Sequence, residues 1–302
     1  TFTHNAGVLD VGGDLTATTA WNVSGNRQVN RRIILAPTVN TTLTSQTLTT
    51  LGGGVIQNQG SLTLQGSSLF TDFDNDGGTL ITANNSLSAL NGTVVGNSGT
   101  IQVNGIGNPT RLTVANGFAN DGVIEVRGGG GVPGELIISA GVLLNNPAAI
   151  IRATADDAEI TGTITNLGTV DVNGDLELFN IGATFTSDTG DIDVLSGKTF
   201  SVTDGTTVLG GGTGQLGGGT LDLAGAAHIL DLNSTLTLDG GLSLALTGIV
   251  TIQTGADADL INQTTLDLSG DTIAASVDVD NQALLRVPNN NQSFIDGMIL
   301  SN

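Results

Sequence analysis

Phe118-Ala119-Asn120-Asp121-Gly122-Val123-Ile124-Glu125-Val126-Arg127-Gly128 contains the unit whose reading decides the fold. Asn-x-Gly reads as a corner, because asparagine tolerates left-handed angles and bonds its own main chain, and glycine takes positive φ freely. The residues after it alternate polar and apolar with period 2, the pattern of a strand with one face inward. The same unit returns as Asn58-Gln59-Gly60-Ser61-Leu62-Thr63-Leu64, as Asn97-Ser98-Gly99-Thr100-Ile101-Gln102-Val103 and as Asn166-Leu167-Gly168-Thr169-Val170-Asp171-Val172. Further copies begin at Asn5, Asn75 and Asp188, and a degenerate one at Asn145.

The corner positions 58, 75, 97, 120, 166 and 188 are separated by 17, 22, 23, 46 and 22 residues. The interval of 46 spans two units, so the period is near 22. Second strands such as Arg111-Leu112-Thr113-Val114 and Asp175-Leu176-Glu177-Leu178 fall within the same units. Short strands and sharp corners at a fixed interval predict coils that stack, each sealing the apolar face of the next. The expected fold is all-β, a right-handed parallel β-helix of roughly 13 coils, forming one domain over residues 1–302. Equivalent asparagines are expected to lie one above another and to bond along the stack. Residues 16–50 fit the period poorly and read as irregular or distorted coils. Pro147 to Ile160 is a weak helix candidate.

Composition agrees. Aromatics make up 3% of the chain, with no tyrosine and one tryptophan, so a core must be filled by Val, Ile and Leu, which suit pleated surfaces. There are 28 acids against 8 bases, a net charge of −20. Such a surface repels phosphate backbones, which sets nucleic acid aside as a partner. No stretch approaches the roughly 20 apolar residues of a membrane span, so direct insertion is not expected. The absence of cysteine suits an extracellular protein exported without disulfides.

The run from Phe118 to Gly128 resembles the degenerate repeats of large bacterial surface proteins, the filamentous-haemagglutinin-like adhesins and autotransporter passenger domains. The resemblance covers residues 1–15 and 50–285. It implies export, an extended β-helix, and a role in adhesion or cell-surface scaffolding. The translocator barrel that defines an autotransporter has no counterpart in this chain.

Candidate chemistry is sparse. Asp72-Phe73-Asp74-Asn75-Asp76-Gly77-Gly78 has the alternating acids of a calcium loop, which makes Asp72, Asp74 and Asp76 candidate metal ligands. The twelfth position, where such a loop needs glutamate, is Ala83. A weak calcium site is therefore set against a plain acidic corner. Asp10, Glu125, Asp171, Asp193, Asp222, Asp267 and Asp278 share one strand position and are expected to form an outward acidic face, with Arg152 between Glu125 and Asp171. His4 and His228 are isolated, with no catalytic motif around them, so no catalytic residue and no cofactor is assigned, and an enzyme is not expected.

Neither terminus reads as a polar cap, since the repeat is running at Asn5 and Phe294 to Leu300 is largely apolar. The leading expectation is an extracellular structural protein that forms or extends a surface filament, stalk or adhesin, by self-association end to end or as part of a longer solenoid. Its adhesive faces are expected to meet a surface glycan or a host receptor. The alternatives are a carbohydrate-binding or carbohydrate-cleaving β-helix and a calcium-dependent adhesive module.

Overall fold

A computed structural model describes residues 2–4, 8–9, 13–23, 27–50, 52–83, 85–179, 182–254, 258–269, 272–275, 277–287, 294–296 and 299–301. The corner Asn5-Ala6-Gly7, Asp10 and the pair Gly297-Met298 lie outside them. The chain is an all-β parallel solenoid of about 12 turns with about 22 residues per turn, close to the coil number expected from length. It divides into two compact units, one of residues 1–144 and 149–161, the other of residues 145–148 and 162–302.

In the first unit each coil contributes to three walls. One is built from Asn40–Thr44, Ser61–Gln65, Thr79–Thr82, Thr100–Asn104, Val123–Arg127 and Ile150–Ala153, paired in parallel. Along it the core partners Thr41, Leu62, Leu80, Ile101, Ile124 and Ile151 are 21, 18, 21, 23 and 27 residues apart, so corners absorb insertions while the strands keep register. The period-2 pattern sets the faces. Leu62 and Leu64 are fully buried, whereas Ser61 and Thr63 are half-buried and Gln65 is exposed. Burying one such leucine is worth about 2 kcal/mol, and each coil repeats the gain several times.

Residues 15–50 also pair with later coils. Ile33–Leu35 lies between Leu15–Ala17 and Val55–Asn58, and Asn40–Thr44 lies beside Ser61–Gln65. The corner signature is missing there, but Trp21, Val29, Ile33, Leu35, Val39, Leu43 and Leu48 fill the core. The weak helix candidate is corrected. Within Pro147 to Ile160 the chain forms the strand Ile150–Ala153 and begins the strand Ala158–Asn166. Ile150 and Ile151 take up the register of Val123 and Ile124, and β-branched pairs hold a strand better than alanines hold one helical turn.

The corner asparagines form ladders inside the core. In the first unit Asn58 Nδ2 donates to Asn75 Oδ1 at 2.8 Å, Asn75 to Asn97 at 2.6 Å and Asn97 to Asn120 at 2.6 Å. All four are fully buried. Three of the amides also tie down a strand start one coil on: Asn75 to Thr100 O at 3.1 Å, Asn97 to Val123 O at 3.2 Å and Asn120 to Ile150 O at 3.4 Å. The first rung is Asn58, whose partner in the preceding coil is Leu35. In the second unit Asn145 donates to Asn166 at 2.8 Å and Asn166 to Ser187 Oγ at 3.0 Å. Beyond Ser187 the position passes to Leu209 and Leu232, and the polar ladder gives way to aliphatic stacking. Asn262 and Asn281 form a separate rung at 2.7 Å with the same reach to the next strand, Leu284 O at 3.1 Å.

The corner glycines answer a different demand from the one read in sequence. Among Gly60, Gly77, Gly99, Gly122 and Gly190 only Gly77 has positive φ, at 73°. The others are glycine because coils approach too closely for a side chain. A Cβ on Gly99 would sit 2.0 Å from Gly78 O, and one on Gly122 would sit 2.1 Å from Gly99 O.

Candidate functional site

The acids expected to share one face divide among walls. In the second unit Asp171 and Asp193 stand side by side on the wall of Thr169–Val172 and Asp191–Val194, in register, at the roughly 5 Å spacing of neighbouring strands. Asp222 and Asp267 belong to another wall, where Ala245 separates them in the column Ser201, Asp222, Ala245, Asp267, Arg286. The two carboxylates are thus about 10 Å apart, two strand spacings. Asp278 lies in the strand Asp278–Asn281, which pairs with Leu260–Asn262 in a sheet separate from that of Asp171 and Asp193 and from that of Asp222 and Asp267. The reason is local: every wall uses the same apolar-acid-apolar pattern, so the pattern alone does not say which wall a strand joins.

In the first unit Glu125 has Arg152 as its register partner, as expected. It is also held by Arg127 at 2.7 Å, by the Thr154 hydroxyl at 2.8 Å and by Gln102 Nε2 at 3.0 Å. Burial pushes its pKa up, but the Thr154, Arg127 and Gln102 bonds outweigh that and leave it below the ordinary value. On an adjoining wall Arg111 pairs with Glu135. Apart from Arg127, which shares the strand of Glu125, these partners come from neighbouring coils.

Asp222 has the opposite balance. Burial raises its pKa, the charge of Asp267 adds to the rise, and a 2.6 Å bond from the Thr247 hydroxyl opposes it. The folded chain therefore holds a proton on this acid more readily than the unfolded chain does, and the resulting stability is present at low pH and lost as pH rises. Asp222→Asn is expected to raise the urea midpoint at pH 7, with the gain disappearing at about pH 3, where the parent carboxyl is itself protonated. A midpoint at pH 7 equal to or below the parent's would contradict this reading.

The acidic run at 72–76 is part of a strand and its corner. Asp72 and Asp74 alternate with buried Phe73 and Asn75. Asp72 Oδ1 accepts the Thr93 amide at 3.0 Å, and Asp76 Oδ2 accepts Gln57 Nε2 and Gln59 Nε2, both at 2.8 Å. The pKa of Asp74 is raised, first by burial and then by the charge of Asp76, with Arg32 opposing. Among the described residues no group of three or more histidine, aspartate or glutamate side chains is placed to hold a metal ion. The bonds to Gln57, Gln59 and Thr93 come from neighbouring coils, which the local spacing of acids does not reveal.

His228 is 1% exposed, with Nε2 3.0 Å from Thr207 Oγ1. It sits between Gly205 and Val250 of the neighbouring coils, where the strands shift register. Burial pushes its pKa down to about 4, against the opposing effects of the Ala224 and Asp204 backbones and the Asp204 carboxylate. The folded form therefore holds the neutral ring. Stability is full above the unfolded pKa of about 6.5 and is lost as pH falls toward about 4. The urea midpoint is expected to fall across that window in the parent and to stay flatter in His228→Val. Parallel curves for the two proteins would rule His228 out as the cause.

Trp21, the one tryptophan of the chain, is 1% exposed and belongs to the core. No helix among the described residues is long and apolar enough to cross a membrane. Compared with protein-family models, with curated proteins and with solved structures, the chain matches none, so its own coils carry the functional reading.

Proposed function

We propose that the chain is an extracellular structural segment, a length of β-solenoid that builds or extends a surface fibre. The observation that carries this reading is the use made of its polar groups. Asparagine ladders, corner glycines and outward ion pairs such as Arg111–Glu135 are all directed at the next coil. A chain whose every turn is a template for the next is suited to continuation, within a longer solenoid or from copy to copy, since an uncovered strand edge pairs readily. The net charge of −20 keeps the outward faces from joining side by side, so growth is directed along the coil axis. A kinship with the filamentous-haemagglutinin-like surface proteins fits this role, as do a glycan or host receptor for the outward walls.

Electron microscopy of the purified protein over a rising concentration series is expected to show linear assemblies. Dispersed particles of constant length at the highest concentration would contradict assembly of copies. Titration with millimolar calcium, set against a chelator, is expected to leave the melting temperature unchanged within about 1 °C, because Asp72 and Asp76 are bonded to neighbouring coils. A rise of several degrees would favour the calcium-dependent adhesive module instead.

A further inference from the structure

In the second unit one wall breaks where the opposite wall does not. Thr169–Val172, Asp191–Val194 and Gly214–Gly217 pair in sequence, and the ladder then stops. The next strand on that side, Leu236–Leu238, opens a separate sheet with Leu260–Asn262. No backbone ladder joins Gly214–Gly217 to Leu236–Leu238. Across the gap the coils meet through the Gln215 side-chain amide, which donates to Thr237 O at 2.5 Å, and through the Gly211 amide, which donates to Ser234 Oγ at 2.8 Å. Both are single bonds, where a ladder would supply several in register.

The interior at this point is also imperfect. Gln215 stands where Ile192 stands one coil before, and its Oε1 is buried without a partner. A cavity of about 10 Å³ lies beside it, lined by Ile192, Leu209, Leu236, Leu238 and Leu242. On the opposite side Thr220–Leu232 is paired along nearly its whole length, to Thr199–Leu209 below and to Ser243–Thr254 above. A coil sealed on one side and unsealed on the other opens on the unsealed side.

We infer that this seam is a yield point of the solenoid: the second unit opens first between Gly214–Gly217 and Leu236–Leu238, hinged on the continuous wall of Thr220–Leu232. Such an opening lets the unit bend or extend under load without unwinding the coils on either side. It does not depend on the proposed role in a fibre.

Hydrogen–deuterium exchange of the intact chain tests it, with each segment corrected for its intrinsic rate. Gly214–Gly217 and Leu236–Leu238 are expected to exchange at least about tenfold faster than Thr220–Leu232 and than Asp191–Val194, which is paired on both sides. Equal protection of the seam and these two segments would overturn the inference. So would faster exchange of Thr220–Leu232, because the hinge would then lie on the wrong wall.

Discussion

Replacing Gly99 by alanine is expected to be among the most damaging single substitutions in the first unit, lowering stability by about 3 kcal/mol. The new Cβ would lie 2.0 Å from Gly78 O and 2.7 Å from Gly78 N. Both are backbone atoms, so relief requires coils to part rather than a side chain to turn. Parting them lengthens the strand pairing that begins one residue later, where Thr100 N donates to Gly78 O at 2.8 Å. The φ of Gly99 is not in the left-handed region, so the loss is one of space and not of backbone conformation. Gly96→Ala is the matched control, since a Cβ there meets nothing within 4 Å and its φ is also outside the left-handed region. Urea unfolding should show a much lower midpoint for Gly99→Ala and a change within about 0.5 kcal/mol for Gly96→Ala. Equal midpoints for the two variants would mean that the coils are not packed this closely.

Asn97→Leu is expected to cost about 3 kcal/mol, for electrostatic reasons. Asn97 accepts from Asn75 and donates to Asn120 and Val123 O, all in the buried interior. Leucine fits the corner, as Leu35, Leu209 and Leu232 do at equivalent positions, so the loss is not one of shape. What remains is an Asn120 Oδ1 that has lost its short bond and keeps the long one from Gly122 N at 3.4 Å, and an Asn75 amide with one acceptor fewer. Weakening the partners of buried polar atoms costs part of their desolvation penalty, whereas removing both partners together costs less. The double variant Asn75→Leu with Asn97→Leu should therefore be less damaged than the sum of the single variants, by about 1 kcal/mol in a double-mutant cycle. Strict additivity would mean that the asparagines stand in a column without bonding along it.

These two positions also show how far the sequence could be read. Asn-x-Gly marks the corners at Asn58, Asn75, Asn97, Asn120 and Asn166, with only the asparagine kept at Asn145, and the ladder follows from the repeat because identical residues in stacked coils must meet. The role of the glycine was less legible. Its permissive backbone is a property of one residue, while its contact with Gly78 O belongs to a pair of coils about a period apart, which no local pattern encodes. The acids show the same limit. Leu221-Asp222-Leu223 and Val170-Asp171-Val172 look alike in sequence, yet one lies on the wall with Thr199–Leu209 and the other on the wall with Asp191–Val194. Wall identity depends on how many residues each corner consumes, and corners vary from coil to coil. Residues 16–50 were obscure for a related reason: core positions such as Ile33 and Leu35 are filled, but the corner signature is absent.

The claim on which all of this rests is that neighbouring coils run parallel and in register along each wall. The chain has no cysteine, so paired substitutions report that register without interference. Thr63, Ile81 and Gln102 are successive partners on the outer side of one wall. Thr63→Cys with Ile81→Cys spans one coil, about 5 Å, within disulfide reach, and Thr63→Cys with Gln102→Cys spans two, about 10 Å, beyond it. Mild oxidation is predicted to close the first pair in full and to leave the second open. Closure of the second pair with the first left open would contradict the parallel coil.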